Sequence, residues 1–394
     1  MTSESTSRGW KVNTVLILLW QVTASVCFYT IYAVTPFVRD EFLVSATLVG
    51  VMLTTLTLGY TVFLFPVGSL VDEYGEGLML VVGLFGLGLA AAAVTVAPTY
   101  LGLLFVVFVL GAFYATAMPG TNKAVFNAIP TERLNLAMGI KQVGVTAGSG
   151  ISAILIPWFG ATRFGWEVGF LLASVAAAVV GVLFYWTYEE GGGGDGGSRH
   201  GIRTHFRNPS YLVVTGAGFF LGAALFTTVG YTILYVDESV GASVVFAGVT
   251  LAFAQVFGSV GRVGFGWLAD RLSAPLTTST LRILVVQAGA STLLFLAVTR
   301  VESPLVTLFA FSLLGTFVLG FTGIYYSCIG SLVPTEQMGS ATAGGQIALN
   351  SGALVAPTTF GFLVDVRGYS EAWTMLALAT FASFLLLFAL LRRY

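Results

Sequence analysis

Three charged residues interrupt an apolar stretch of the chain, residues 258–273, which reads GSVGRVGFGWLADRLS. Arg262 stands eight residues before Asp270, and Arg271 follows Asp270 directly. On an α-helix eight residues span roughly 12 Å, so we expect Arg262 to lie well inside a helix that ends near Asp270. A guanidinium group in such surroundings can bind a carboxylate through two parallel hydrogen bonds.

The elements that position this arginine are membrane helices. Of the 394 residues, 56% are hydrophobic and only 9% are charged, and the mean hydropathy is +0.90. Soluble domains have roughly 25% charged residues, and a membrane span needs roughly 20 apolar residues that form a helix. The sequence therefore predicts an all-α membrane protein with twelve transmembrane helices, at 12–34, 45–70, 78–97, 100–121, 137–157, 167–188, 210–236, 243–268, 280–299, 304–330, 340–363 and 371–391.

Twelve spans place both termini on one side, and the basic residues are concentrated at that side. The positive-inside rule therefore predicts cytoplasmic termini in a multi-pass protein of the plasma membrane. A Gly-rich polar stretch at 189–209 is typical of a flexible cytoplasmic linker. It predicts a first domain at 1–188 and a second at 210–394, with a regulatory or partner-binding loop as the alternative for the linker.

The predicted helix around Arg262 has one face of small and polar residues at helical spacing, namely Gln255, Gly258, Ser259, Arg262 and Gly266. We therefore expect Arg262 to point into the protein. An arginine at that depth is costly without water or a partner, which favours a functional role. The alternative is a structural arginine that binds backbone carbonyls or extends to the cytoplasmic surface.

The two halves of the chain repeat one another in order, at an offset of about 200 residues. GSLVDEYG at 68–75 resembles GWLADRLS at 266–273, which pairs Asp72 with Asp270. Other matches pair Tyr29 with Tyr231, Glu132 with Glu336, and Gln142 with Gln346. Arg262 corresponds to Leu64, so duplication alone does not account for it.

Six plus six spans, a central loop and a Gly-x-x-x-Asp motif after spans 2 and 8 together resemble the major facilitator superfamily. The resemblance implies a monomer with two six-helix bundles, a substrate site near the membrane midplane and alternating access. The first motif departs from the family, because Glu73, Glu76 and Gly77 stand where basic residues are usual. Residues 103–115 are apolar where the drug-antiporter subgroup has an arginine.

Span 8 is most similar to the oxalate and monocarboxylate transporters, which have a substrate-binding arginine upstream of the same motif. The resemblance implies this role for Arg262. The partner lysine of the oxalate transporters has no equivalent, since span 11 offers Gln346 and Asn350 instead. The chain also has no Asp, Glu or His in the interior of any predicted span, since Glu167 and Glu371 stand at span ends. A buried cation without a buried anion favours a small substrate with one negative charge.

Other polar residues in the predicted spans are candidate substrate contacts. They include Gln21 and Tyr29 in span 1 and Tyr231 in span 7. The tyrosines also suit the role of aromatic residues at the membrane interface. Lys141 and Gln142 in span 5 lie about two turns inside the cytoplasmic end. Lys141 is a second anion contact or a lysine that extends to the membrane surface.

A belt of charged residues at the cytoplasmic ends is a candidate gate. Acidic side chains at helix ends and charge pairs can hold one side of a transporter shut. The belt consists of Asp72, Asp270, Arg271, Glu132, Arg133 and Glu336. The alternative for its members is ordinary solvated loop charge.

The sequence contains no pattern typical of an enzyme, a metal-binding protein or a nucleic-acid-binding protein. No metal-ligand, cofactor or catalytic constellation is visible, and a net charge of −1 gives no reason to expect nucleic acid. Cys27 and Cys328 lie in apolar runs and suit packing. The sequence predicts a secondary transporter of a small anion in the lipid bilayer, without a cofactor. The alternatives are an exporter of a drug or neutral metabolite by antiport and, more remotely, a transporter-like sensor.

Overall fold

The computed structural model describes residues 2–130, 133–188, 208–334 and 337–394. Within these ranges the chain is helical and contains no strand. Twelve helices or helix pairs in the described part of the chain are long and apolar enough to cross a membrane. The predicted all-α fold with twelve spans is therefore confirmed.

The helices of the first half follow the predicted spans closely. They are α1 (Thr2–Ala33), α2 (Thr35–Glu41), α3 (Ala46–Tyr74), α4 (Glu76–Val94), α5 (Tyr100–Tyr114), α6 (Ala117–Ala128), α7 (Leu134–Gly160) and α8 (Glu167–Thr187). Span 4 consists of α5 and α6, with a short turn between them. The loop expected after span 1 contains α2, and Asp72 lies in the last turn of α3 rather than in a loop.

The second half begins at a well-defined helix cap. Asn208 Oδ1 accepts hydrogen bonds from the backbone N–H groups of Ser210 (3.0 Å) and Tyr211 (3.3 Å), and Pro209 occupies the first helical position. The helices are α9 (Pro209–Glu238), α10 (Val244–Arg271), α11 (Leu276–Val298), α12 (Pro304–Leu314), α13 (Thr322–Ser331), α14 (Met338–Arg367) and α15 (Tyr369–Leu391). Most of the predicted linker, 189–207, lies outside the described residues.

Contacts between residues divide the chain into two compact units. The first unit contains Met1–Phe37 and Thr55–Gly196, and the second contains Val38–Thr54 and Gly197–Tyr394. These units differ from the predicted domains, 1–188 and 210–394, in the segment Val38–Thr54. The division of the chain into two domains of six spans each, joined by a linker, stays a prediction.

Small residues bring helices of the first unit into backbone contact. A Cβ atom added at Gly148 of α7 would lie 2.5 Å from the carbonyl oxygen of Val22 in α1. Gly59 and Gly111 create the same close approach between α3 and α5. Membrane helices associate through this kind of close packing because lipid provides no hydrophobic driving force between them.

The second unit uses the same packing and adds an aromatic core. A Cβ atom at Gly352 of α14 would lie 2.0 Å from the carbonyl oxygen of Phe219 in α9. Trp373 of α15 is fully buried and packs against the rings of Tyr235 and Phe360, with centroids 5.3 and 4.8 Å away. These contacts hold α9, α14 and α15 together, and α9 in turn packs against α10.

We expect Gln287→Met to raise stability. Both polar atoms of the Gln287 amide, on α11, are buried without a hydrogen-bond partner among the described residues. An unsatisfied buried group costs about 1–3 kcal/mol, and methionine has a similar volume. The free energy of unfolding should rise by about 1 kcal/mol, measured as a higher Tm in detergent. Thr292→Val should lower the Tm instead, because Thr292 Oγ1 lies 3.0 Å from Thr380 Oγ1. A lower Tm for Gln287→Met would contradict the expectation.

Candidate functional site

Arg262 lies inside the second unit with its guanidinium held in a defined position. The side chain is half-buried, and its Nε donates a hydrogen bond to the carbonyl oxygen of Leu319 at 3.1 Å. Asp270, two turns further along α10, is exposed. Arg262 is therefore positioned inward of the charged helix end, as the sequence predicts, and it has the carbonyl contact that a structural arginine would have.

The carbonyl group of Leu319, which accepts the hydrogen bond from Arg262, belongs to an irregular part of span 10. Residues Gly315–Leu319 form a π-helical segment between α12 and α13, closed by a hydrogen bond from Gly320 N to Gly315 O at 3.1 Å. Such segments are rare and occur often at functional sites. No feature of the sequence predicted this segment, because its residues, GTFVL, are compatible with an ordinary apolar helix.

Glycines allow α10 to approach this π-helical segment closely. A Cβ atom at Gly261 would lie 2.4 Å from Thr316 O, and one at Gly315 would lie 2.1 Å from Ala254 O. A Cβ atom at Gly258 would lie 2.8 Å from Leu319 Cβ. Gly258 and Gly261 thus determine how near α10, and with it the guanidinium of Arg262, lies to span 10.

A row of polar side chains connects α13 and α14 in the same unit. Tyr326 Oη donates to Gln346 Oε1, and Gln346 Nε2 donates to Asn350 Oδ1 at 2.8 Å. Asn350 is fully buried and Gln346 is half-buried. The structure therefore brings the predicted residues Gln346 and Asn350 together. Tyr326 was missed by sequence reasoning, although the polar residues YYS at 325–327 interrupt an apolar span.

The predicted residues of span 1 belong to a polar and aromatic cluster in the first unit. Gln21 is buried and its Nε2 donates to Ser25 Oγ at 3.2 Å, which lies 3.2 Å from Tyr114 Oη. Tyr29 is half-buried and contacts Phe28 edge to face, with centroids 5.3 Å apart. The expectation of an apolar stretch at 103–115 is therefore incomplete, because Tyr114 contributes a hydroxyl group.

The two neighbouring residues of span 5 have opposite surroundings. The Lys141 side chain is only 5% exposed, and its Nζ donates to Asn122 Oδ1. Among the described residues no carboxylate lies within 4.0 Å of Nζ. This burial does not fit a lysine that extends to the membrane surface. Gln142 is exposed.

Tyr231 has a different environment from the one predicted for a substrate contact. Its side chain is fully buried, and its hydroxyl group donates to the carbonyl oxygens of Ala46 (2.7 Å) and Pro357 (3.0 Å). These contacts belong to helix packing within the second unit. We do not include Tyr231 in the proposed substrate site.

The described members of the predicted cytoplasmic belt do not pair with one another. Asp72 forms an ion pair with Lys123 instead, at 3.4 Å and with 80% of the Asp72 side chain exposed. Arg271 lies over the ring of Trp267 at 3.9 Å, and Arg133 lies near the ring of Trp10 at 5.9 Å. Glu132 and Glu336 lie outside the described residues, so a gate built from this belt stays a prediction.

Glu76 is a buried carboxylate that sequence reasoning did not single out. The residue is 2% exposed, at the start of α4. Its Oε1 accepts hydrogen bonds from Asn127 Nδ2 (3.0 Å) and Tyr188 Oη (3.1 Å). The only signal in the sequence was its departure from the basic residues that the family has there. In the described residues no cluster of three or more His, Cys, Asp or Glu side chains could hold a metal ion.

Comparison with known proteins shows which family the chain belongs to. The Major Facilitator Superfamily model matches residues 17–357, so the chain belongs to that family. It is a membrane transporter.

Two curated relatives and one solved structure resemble most of the chain. The chain is 25% identical over 370 residues to the hexuronate transporter of Bacillus subtilis (strain 168), covering 88% of this chain and 87% of that protein. It is 21% identical over 388 residues to the D-galactonate transporter of Escherichia coli O6:H1 (strain CFT073), covering 89% of each. The structure of a bacterial homolog of the human lysosomal transporter Spinster, inward-facing and occupied, superposes with a TM-score of 0.79 at 14% identity, covering 97% of this chain and 96% of that one.

Proposed function

We propose that this protein transports a small organic anion with one carboxylate by alternating access, and that Arg262 binds the carboxylate. The observation that supports this most directly is the half-buried guanidinium, oriented by the carbonyl of Leu319 at 3.1 Å. Binding a carboxylate there would compensate the cost of a cation at that depth.

The relatives favour a hydroxylated carboxylate. Hexuronate and D-galactonate, named for two similar transporters, each have one carboxylate and several hydroxyl groups. The row formed by Tyr326, Gln346 and Asn350 contains the donors and acceptors that such hydroxyl groups require. We therefore propose a sugar acid or a similar hydroxylated monocarboxylate as the substrate class.

Ligand-induced thermal stabilisation of the purified protein tests this proposal. The panel contains D-galacturonate, D-galactonate, lactate, neutral D-galactose and a cationic dye, each added to wild type and to Arg262→Gln. We expect the acids alone to raise the Tm, and only in wild type. A rise with galactose or the dye that persists in Arg262→Gln would contradict the proposal and favour an exporter of neutral or cationic compounds.

Lys141 is proposed as a second contact for the anion. We expect Lys141→Met to weaken the binding of the stabilising acid by about tenfold, which is the effect of losing about 1.4 kcal/mol of charge attraction. The Kd from isothermal titration measures this change. The matched control is Lys123→Met, because Lys123 already binds Asp72 and Val71 O. An unchanged Kd in Lys141→Met would make Lys141 a structural residue only.

A further inference from the structure

A segment of the first half of the chain packs within the second unit. This tether segment, Val38–Thr54, comprises part of α2, a short loop and the first two turns of α3. The rest of α3, from Thr55 onward, belongs to the first unit. A single helix therefore has its start in one unit and its remainder in the other.

The carboxylate of Asp365, near the end of α14, caps the start of α3. Asp365 Oδ1 accepts a hydrogen bond from Ala46 N at 2.9 Å, and Oδ2 accepts from Thr47 N at 2.8 Å and Thr47 Oγ1 at 2.5 Å. The first N–H groups of a helix have no acceptor within the helix, and the helix dipole favours a negative charge there. Three charge-assisted hydrogen bonds thus connect residues more than 300 positions apart in the sequence.

Close backbone contacts extend along the same pair of helices. A Cβ atom at Gly50 would lie 2.4 Å from the carbonyl oxygen of Pro357. Thr54 Oγ1 lies 3.0 Å from Thr358 Oγ1. The tether segment is therefore in contact with α14 from Ala46 to Thr54.

A second polar contact lies on the other side of the loop. Arg39 Nη1 lies 2.7 Å from Glu238 Oε2, which also accepts a hydrogen bond from Tyr369 Oη at 2.7 Å. The two charged side chains are 26% and 30% exposed, so this ion pair contributes only modestly to stability.

We propose that Asp365 is a conformational latch: its bonds to Ala46 and Thr47 hold the tether segment on α14 and stabilise the state seen here. A transporter that alternates between two states must exchange one set of helix contacts for another. Because α3 continues beyond the tether segment, a movement of this helix along α14 must break the bonds of Asp365. Release of the latch therefore accompanies any movement of α3 relative to α14.

Cysteine cross-linking tests the latch without any knowledge of the substrate. Thr54→Cys and Thr358→Cys are introduced together, and the rate of disulfide formation with an added oxidant is measured in proteoliposomes. We expect rapid cross-linking in the parent double mutant and a rate slower by about tenfold after Asp365→Ala. Labelling of a lone Thr54→Cys by a membrane-impermeant maleimide should rise in parallel.

The matched control is Glu371→Gln, which removes an exposed carboxylate in the neighbouring first turn of α15 and should leave both rates unchanged. Size-exclusion chromatography verifies that each variant folds. If Asp365→Ala does not fold, Asp365→Asn with Thr47→Val weakens the same bonds while preserving shape. Equal cross-linking and labelling rates with and without the Asp365 carboxylate would overturn the latch.

Discussion

Replacement of Arg262 by glutamine is expected to reduce the uptake of the substrate acid by about 100-fold. Removing one partner of a desolvated charge pair costs about 2–5 kcal/mol, and each 1.4 kcal/mol is tenfold in affinity. The loss should appear mainly as a higher KM, because in the proposed function the guanidinium binds the carboxylate before transport begins. Initial rates of uptake into proteoliposomes over a range of substrate concentrations measure this change.

Two further variants separate binding from structure. Arg262→Lys retains the charge but lacks the planar pair of donors, so we expect it to restore part of the affinity. Arg282→Gln removes an exposed arginine from α11 and should have no effect. If Arg262→Gln transports with the wild-type KM and only unfolds at a lower temperature, the arginine is structural.

Gly261→Ala is expected to destabilise the second unit and to impair transport. The added Cβ would lie 2.4 Å from Thr316 O, so α10 and the π-helical segment Gly315–Leu319 must move apart. Forcing extra volume into a packed contact costs about 1–3 kcal/mol. The movement should also lengthen the bond between Arg262 and Leu319 O. We expect a Tm several degrees lower and weaker binding of the acid.

The same helix offers a matched control. Gly264 lies three residues further along α10, and a Cβ atom added there has no neighbour within 4 Å. Gly264→Ala should be neutral or should stabilise by up to about 1 kcal/mol, since alanine favours the helix. Equal effects of the two substitutions would show that the close approach at Gly261 has no special role.

The periodic features of the sequence predicted most of the fold. Apolar runs of membrane length predicted the twelve spans, because lipid requires each span to satisfy its own backbone hydrogen bonds. The spacing of Arg262 from Asp270 predicted that the two residues lie about two turns apart on one helix, and both lie on α10, with Arg262 half-buried and Asp270 exposed. Both inferences depend on local regularities within a single helix.

Contacts between distant residues were not predictable in the same way. Lys141 has an amide partner, Asn122, in another helix, and Asp365 binds the start of α3. Nothing in one sequence pairs such residues. The sequence left Tyr231 open between a substrate contact and an interfacial aromatic residue, and its hydroxyl group donates to the carbonyl oxygens of Ala46 and Pro357. The position of Tyr231 in span 7 gave no information about those partners.

We propose that this transporter requires a negative charge on its substrate. The most direct test measures uptake of radiolabelled D-galacturonate into proteoliposomes that contain the wild-type protein, with unlabelled compounds as competitors. We predict saturable uptake that D-galacturonate and D-galactonate inhibit and that D-galactose, which has the same ring without the carboxylate, does not. Uptake that galactose inhibits as strongly as the acids do would contradict the account.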